Sequence, residues 1–228
     1  MVCVIVSNKP WHKKFVDEIE HRAGSKIVYI EEKELVCFDY LKKISPRYIF
    51  FPHWSYIIPK SVYDNFECVI FHMTDLPFGR GGSPLQNLIS RGIYETKLSA
   101  LRCEKELDAG AIYMKMPLSL WGTAQEIYMR AGELSKEIMI EIMQKRITPL
   151  AQEGSPVIFS RREQGDGDLS RVETLSQVFD YIRMLDAETY PHAFIETDYF
   201  HFEFSRASLR ERQVVADVTI TMRDRFHE

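Results

Sequence analysis

Cysteine is scarce. The 228 residues contain four, Cys3, Cys37, Cys68 and Cys103, and no two of them form a Cys-x-x-Cys pair. That excludes a disulfide scaffold and a ribbon-type zinc site, and it fits a reduced, cytoplasmic setting with no metal. A basic excess is also missing: 29 Lys and Arg stand against 33 Asp and Glu, for a net charge of −4. Chains that neutralise many phosphates carry the opposite balance. Extended nucleic-acid binding is therefore not expected, although a pocket for one small anion remains compatible with this charge. No run approaches the roughly 20 apolar residues of a membrane helix, so no membrane association is expected. The apolar opening, Met1 to Val6, is too short for a signal-peptide core and has no basic leader. Internal repeats and low-complexity tracts are absent. What is present, 45% hydrophobic and 27% charged residues, is the composition of an ordinary globular domain.

Short apolar runs alternate with longer amphipathic ones in the first 120 residues. Val2–Val6, Lys26–Ile30, Tyr48–Phe51 and Cys68–Phe71 read as strands, and Trp11–Ala23 and Glu31–Ile44 as helices between them. Such alternation points to βαβ units, an α/β class and a mostly parallel sheet covered on both faces. Ala124–Ile147 is the longest helical stretch, with Thr123 placed to cap it. Beyond it, Val157–Ser160 reads as a strand, Gln164–Asp168 as an exposed loop and Ser170–Asp186 as a helix. Ala193–Ser205 and Val214–Thr221 read as an antiparallel pair. A boundary near residue 150 follows, dividing a domain of residues 1–150 from a small α+β extension of residues 151–228.

The most unusual stretch runs from Phe71 to Pro84, Phe-His-Met-Thr-Asp-Leu-Pro-Phe-Gly-Arg-Gly-Gly-Ser-Pro. It follows an apolar strand and leads into a helix beginning near Ser83-Pro84. Ligands of parallel sheets gather beyond the carboxyl ends of the strands, and His72 falls at such an end. Glycines around Arg80 let backbone approach a ligand closely. The alternative is a turn-rich loop with a histidine satisfied by a carbonyl. Further on, Leu98–Cys103 reads as a strand, and Asp108 stands in a loop before another strand, Ala111–Met114. An aspartate opening onto the same crevice would orient His72 or exchange protons through it; the alternative is an ordinary Asp-Ala-Gly turn.

The run His72–Pro84, with Pro77, Arg80, Gly81 and Pro84 in place, resembles the signature loop of the folate-dependent formyltransferases. Leu107-Asp108-Ala109-Gly110 resembles that family's second signature, and Ile49–Pro59, ending Ile57-Ile58-Pro59, resembles its pterin-binding segment. Together the motifs cover roughly residues 1–150. The resemblance implies a Rossmann-like formyltransferase fold and formyl transfer from N10-formyltetrahydrofolate to an amine. It implies catalytic roles for His72 and Asp108. Trp54, Ser55, Tyr56, Ile57, Leu85 and Leu107 would border the folate, although Trp54 and Tyr56 read equally well as core aromatics. The acceptor would meet Ser7, Asn8, Lys9, Met73, Phe78, Gly79, Arg80 and Gly81, although Ser7-Asn8-Lys9-Pro10 is also an ordinary turn. One departure stands out. The family places an asparagine two residues before the histidine, where this chain has Ile70, so another donor, Thr74 or a loop N–H, would take its place at the oxyanion.

For the acceptor, the acidic balance argues against tRNA. Tyr181–Phe194 contains Tyr190-Pro191-His192-Ala193-Phe194, which resembles an element behind the core of sugar N-formyltransferases of the pseudaminic-acid pathway type. That resemblance implies a nucleotide-linked amino sugar as acceptor, UDP-linked and bearing a 4-amino group, and at family level a homodimer. Ile70 keeps a second reading open, a binder of folate or nucleotide sugar without turnover, and a third is a hydrolase of the formyl donor, which uses a similar core.

Overall fold

The structure, a computed structural model, describes residues 1–188 and 190–223. In chain order its elements are β1 (Val2–Val6), α1 (Pro10–Lys13), α2 (Val16–Ala23), β2 (Lys26–Ile30), α3 (Phe38–Ile44), β3 (Ile49–Phe51), α4 (Lys60–Tyr63), β4 (Cys68–His72) and β5 (Phe78–Gly81). Then follow α5 (Pro84–Ile89), β6 (Glu95–Arg102), β7 (Ile112–Ser119), α6 (Ala124–Lys145), β8 (Val157–Phe159), α7 (Leu175–Arg183), β9 (Ala193–Glu196), β10 (Phe200–Arg210) and β11 (Gln213–Met222). The chain forms two compact units. Met1–Gly81, Thr96–Leu118 and Met129–Ile158 make the first, and Gly82–Glu95, Ser119–Tyr128 and Phe159 onward make the second.

The first unit is built on a six-stranded sheet in the order β2-β1-β3-β4-β6-β7. Pairings β1–β2, β1–β3 and β3–β4 are parallel, and β4–β6 is antiparallel, with Val69 opposite Arg102 and His72 opposite Ser99. The β-branched and aromatic runs explain the strands. Ile49, Phe50 and Phe51 are all buried to 1% exposure or less, and burying such a side chain contributes about 1.5–3 kcal/mol. β1 is flanked by β2 on one side and β3 on the other, so the order of strands reverses there. The crevice beyond the carboxyl ends at such a reversal is where open α/β sheets bind ligands.

The first two helical stretches are broken where the sequence predicts them continuous. Trp11–Ala23 divides at Lys14–Phe15 into α1 and α2, with Pro10 opening the first of these. Glu31–Ile44 divides because Val36 turns into the core and Cys37 is extended; only a 3-10 turn, Lys33–Leu35, precedes α3. His12, 2% exposed, meets the Ser7 hydroxyl at 2.7 Å through Nδ1. Burial first, then His53 and Lys9, push its pKa down to about 3. In the unfolded chain it titrates near 6.5, so below that pH the unfolded state gains a proton that the folded state refuses. Stability is thus expected to fall as pH drops from about 6.5 towards 3, by at most about 1.4 kcal/mol per pH unit from this group. Urea unfolding at pH 7, 6 and 5 checks this: His12→Gln should flatten the dependence relative to wild type.

In the second unit β9, β10 and β11 form an antiparallel sheet in the order β11-β10-β9, with Phe204 opposite Val218 and Ala193. The expected strand Ala193–Ser205 is interrupted at Thr197, which bonds Phe200 through both backbone and hydroxyl and turns the chain. Gln164–Asp168 is exposed at Gln164, Gly165 and Asp166, as expected of a loop, but it is ordered locally. It forms a 3-10 turn closed by a reciprocal Glu163–Asp166 cap, with Gly167 buried. The expected helix Ser170–Asp186 starts only at Leu175, where Thr174 and Gln177 make a capping box. Leu169, Ile182 and Ala193 form the core between α7 and the sheet, joined by Ile195, Phe204, Val214 and Ala216. Of the Tyr181–Phe194 segment, Thr189 lies outside the described residues. Thr123 caps α6 as expected, accepting from the Glu126 N–H while the Glu126 carboxylate accepts from the Thr123 N–H.

Candidate active site

β4 delivers its last residue, His72, to the carboxyl end of a central strand, where it is 7% exposed. The loop behind it is held in place on several sides. The Ser99 hydroxyl on β6 donates to the Thr74 carbonyl at 2.7 Å, and Lys115 on β7 donates to both the Asp75 carboxylate and the Leu76 carbonyl at 2.5 Å. Burial pushes the Asp75 carboxyl up, but Lys115 and Lys97 outweigh it and hold it below its ordinary value. β5 then returns past the imidazole. Gly79 and Gly81 have φ of 78° and 108°, a region closed to most side chains, so the glycines serve the backbone path.

The His72 ring is fixed at both nitrogens. Nε2 lies 2.7 Å from the Gly79 carbonyl oxygen; a carbonyl only accepts, so Nε2 carries the hydrogen. Nδ1 faces Asp108 Oδ2 at 3.4 Å. The same Oδ2 accepts the Gly81 N–H at 3.0 Å, tying β5 to the aspartate loop. Asp108 is 7% exposed and has φ of 52°, a left-handed conformation that costs a non-glycine residue about 1–2 kcal/mol. Gly110, two residues on, leaves no room for a side chain: a Cβ there would stand 2.0 Å from the Arg102 carbonyl oxygen. The Thr74 hydroxyl, fully buried, also reaches the Gly79 oxygen, at 3.4 Å. Two donors thus converge on one carbonyl oxygen beside a carboxylate. Such a cradle suits an oxygen on which negative charge develops.

The chain is similar to several known proteins. A family model described as the methionyl-tRNA formyltransferase C-terminal domain matches residues 164–221. Methionyl-tRNA formyltransferase from Campylobacter curvus is 26% identical over 168 residues, covering 72% of this chain and 55% of that protein. A solved structure, methionyl-tRNA formyltransferase from Clostridium thermocellum, is 46% identical with a TM-score of 0.93, covering 97% of this chain and 99% of that one. The chain belongs to the formyltransferase family. It nevertheless spans about half the length of the curated relatives it matches. The fold extends to a sugar N-formyltransferase from Shewanella sp. FDAARGOS_354, at 16% identity and a TM-score of 0.69 over 87% of this chain and 93% of that one.

The other residues that the sequence predicts for the site separate into groups. Gly79 and Gly81 stand with His72, Thr74 and Asp108, as the bonds above require; Arg80 between them turns its guanidinium to the Gln152 side-chain oxygen, and Phe78 and Met73 are half-buried on the same segment. Trp54 is half-buried, edge-on to Tyr56 at 5.0 Å and tilted to Phe51 at 6.4 Å, and its Nε1 is buried without a hydrogen-bond partner. Ser55 and Tyr56 are exposed, as are Ile57 at 96% and Leu107 at 71%. Ser7 is fully buried, its hydroxyl engaged by His12 and the Lys9 N–H, while Asn8 is exposed and the Lys9 ammonium lies 5.8 Å from the Trp11 ring. Leu85 lies in the second unit, fully buried in α5. Sequence reasoning missed Ser99, Lys115 and Gln152. Gln152 meets the Asp108 loop from 44 positions away, and no local pattern marks such a contact.

Proposed function

We propose that the chain transfers the formyl group of N10-formyltetrahydrofolate to the primary amine of a nucleotide-linked amino sugar. The observation that carries formyl transfer is the buried His72–Asp108 pair, Nδ1 to Oδ2 at 3.4 Å, beside the converging donors of His72 and Thr74. The residues present fit the donor. Trp54 offers an unpaired indole N–H, and Tyr56, Ile57 and Leu107 offer exposed apolar surface to a flat heteroaromatic ring. When bound, the donor supplies an activated formyl carbon.

The protein's own groups do the rest. The amine presents its lone pair to the formyl carbon, and a new C–N bond forms as the bond to the folate nitrogen breaks. Charge develops on the formyl oxygen, which takes the place that the Gly79 carbonyl holds and receives the His72 Nε2–H. The Thr74 hydroxyl supplies the second donor, where the family's asparagine is replaced by Ile70. Asp108 takes up the proton that the amine loses, and the departing folate nitrogen receives one in return, so the site ends as it began. The Gly81 N–H holds the carboxylate in place throughout.

The acidic balance, −4 overall, supports a small anionic acceptor over a polyanion. Methionyl-tRNA is the second reading, favoured by the name of the 46%-identical relative. A mass-spectrometric panel separates them. UDP-, dTDP- and GDP-linked amino sugars and methionyl-tRNA are each incubated with formyl donor. One formylated nucleotide sugar is the expected result; formylation of methionyl-tRNA alone would overturn the sugar assignment.

A further inference from the structure

We infer that Gln152 is a positioning residue for the His72–Asp108 pair, its amide nitrogen pinning the Asp108 turn and its amide oxygen holding Arg80. The inference rests on the proposed reaction and assigns a residue outside every motif of the sequence. Gln152 Nε2 donates to the Asp108 carbonyl at 2.8 Å and to the Gly110 carbonyl at 2.9 Å. Its Oε1 accepts from Arg80 Nε at 3.1 Å and Nη2 at 2.7 Å. Both amide hydrogens and both lone pairs are therefore used, the full capacity of a carboxamide.

The consequences follow from what these bonds restrain. Asp108 is held left-handed at φ of 52°, and its carboxylate faces His72 only while the main chain keeps that conformation. The two carbonyls that Gln152 grips flank the turn. On the opposite strand it grips Arg80, the neighbour of Gly81, whose N–H binds Asp108 Oδ2. One side chain thus spans the same gap as the Gly81–Asp108 bond and closes it from a second side. Its own base is rigid: Leu150 exchanges both backbone hydrogen bonds with Ile112 at the start of β7, at 2.7 and 2.9 Å. Sites held from regular elements in this way keep their geometry better than free loops. Its near analogues do not replace it. Glutamate would turn an oxygen on two carbonyls, asparagine is a methylene short, and methionine fills the volume with no donor.

The test uses Gln152→Met and Gln152→Glu in the whole chain. In the unliganded protein, amide exchange at Gly81 is expected to rise at least about tenfold in both variants, because the bond to Asp108 is no longer braced. In formyl transfer, kcat is expected to fall by about 10- to 100-fold, the scale set by small misplacements of catalytic groups, with donor KM within about threefold. In an Asp108→Asn background, Gln152→Met should add less than about twofold, since a residue acting through Asp108 has nothing further to lose. Unchanged Gly81 exchange, a kcat near wild type for Gln152→Met, or a full additive loss in the double variant would each overturn the inference. A wild-type chain that transfers no formyl group would instead overturn the proposed reaction, and exchange at Gly81 would then judge the positioning alone.

Discussion

Alanine in place of His72 is expected to lower formyl transfer by about 10²- to 10⁴-fold, the range for losing a placed acid–base group. The imidazole is one of two donors to the oxygen position and the partner of Asp108, and Ile70 leaves no asparagine beside it to compensate. The fold should survive. The substitution leaves the Gly79 carbonyl with the longer Thr74 hydroxyl bond alone, at a cost of at most about 1–3 kcal/mol, while β4 keeps its pairing to β3 and β6 and Ser99, Lys115 and Asp75 still hold the following loop. Circular dichroism and urea unfolding beside the kinetics separate the two effects. Turnover within tenfold of wild type, in a folded protein, would remove His72 from the chemistry.

The largest expected loss of stability lies at Arg183. Its side chain is 1% exposed, and Nε meets Asp180 at 2.7 Å. Nη1 donates to the Leu120 carbonyl at 2.6 Å and the Gly122 carbonyl at 2.9 Å, while the Tyr94 hydroxyl donates to Asp180 at 2.9 Å. Arg183→Leu leaves a buried carboxylate with one neutral donor and two carbonyls without theirs. Breaking a buried pair this way costs about 3–5 kcal/mol, a large share of the roughly 5–15 kcal/mol that folded chains possess. The double variant Arg183→Met/Asp180→Leu is expected to recover part of the loss, because the stranded charge is gone. Urea unfolding of both measures this. A single variant within about 1 kcal/mol of wild type would show that water or a rearranged neighbour satisfies Asp180, contrary to the bonds described.

Arg183 also shows where sequence stops being informative. Its pairing with either Asp180 or Asp186, each three positions away, is visible in the sequence as an ordinary helix-surface pair. Its burial is not, because the carbonyls it caps come from Leu120 and Gly122, more than 60 positions earlier. The same division runs through the fold and the site. β1 to β4 were legible because their runs are apolar on both faces. Periodicity overruns the helices where a local cap, such as Thr174 with Gln177, starts one late, or a core-facing residue, such as Val36, interrupts the amphipathic stretch. His72, Arg80, the glycines and Asp108 lie in two short local patterns, which the resemblance to the formyltransferases picks out from ordinary turns. Gln152, Ser99 and Lys115, which fix those patterns in space, do so across 25 to 72 positions. The Ser7 hydroxyl looks available in the sequence and is engaged in the fold because His12 closes over it.

The central claim, that this cleft moves a formyl group to an amine through His72 and Asp108, is tested most directly by a single-turnover balance. Wild type and Asp108→Asn are mixed with N10-formyltetrahydrofolate and the amine acceptor identified by the panel, and tetrahydrofolate, formate and formylated amine are quantified together. Tetrahydrofolate and formylated amine are expected in equal amounts, without free formate, at a rate at least about a hundredfold higher in wild type than in Asp108→Asn. Formate in place of formylated amine, or equal rates from the two proteins, would contradict it.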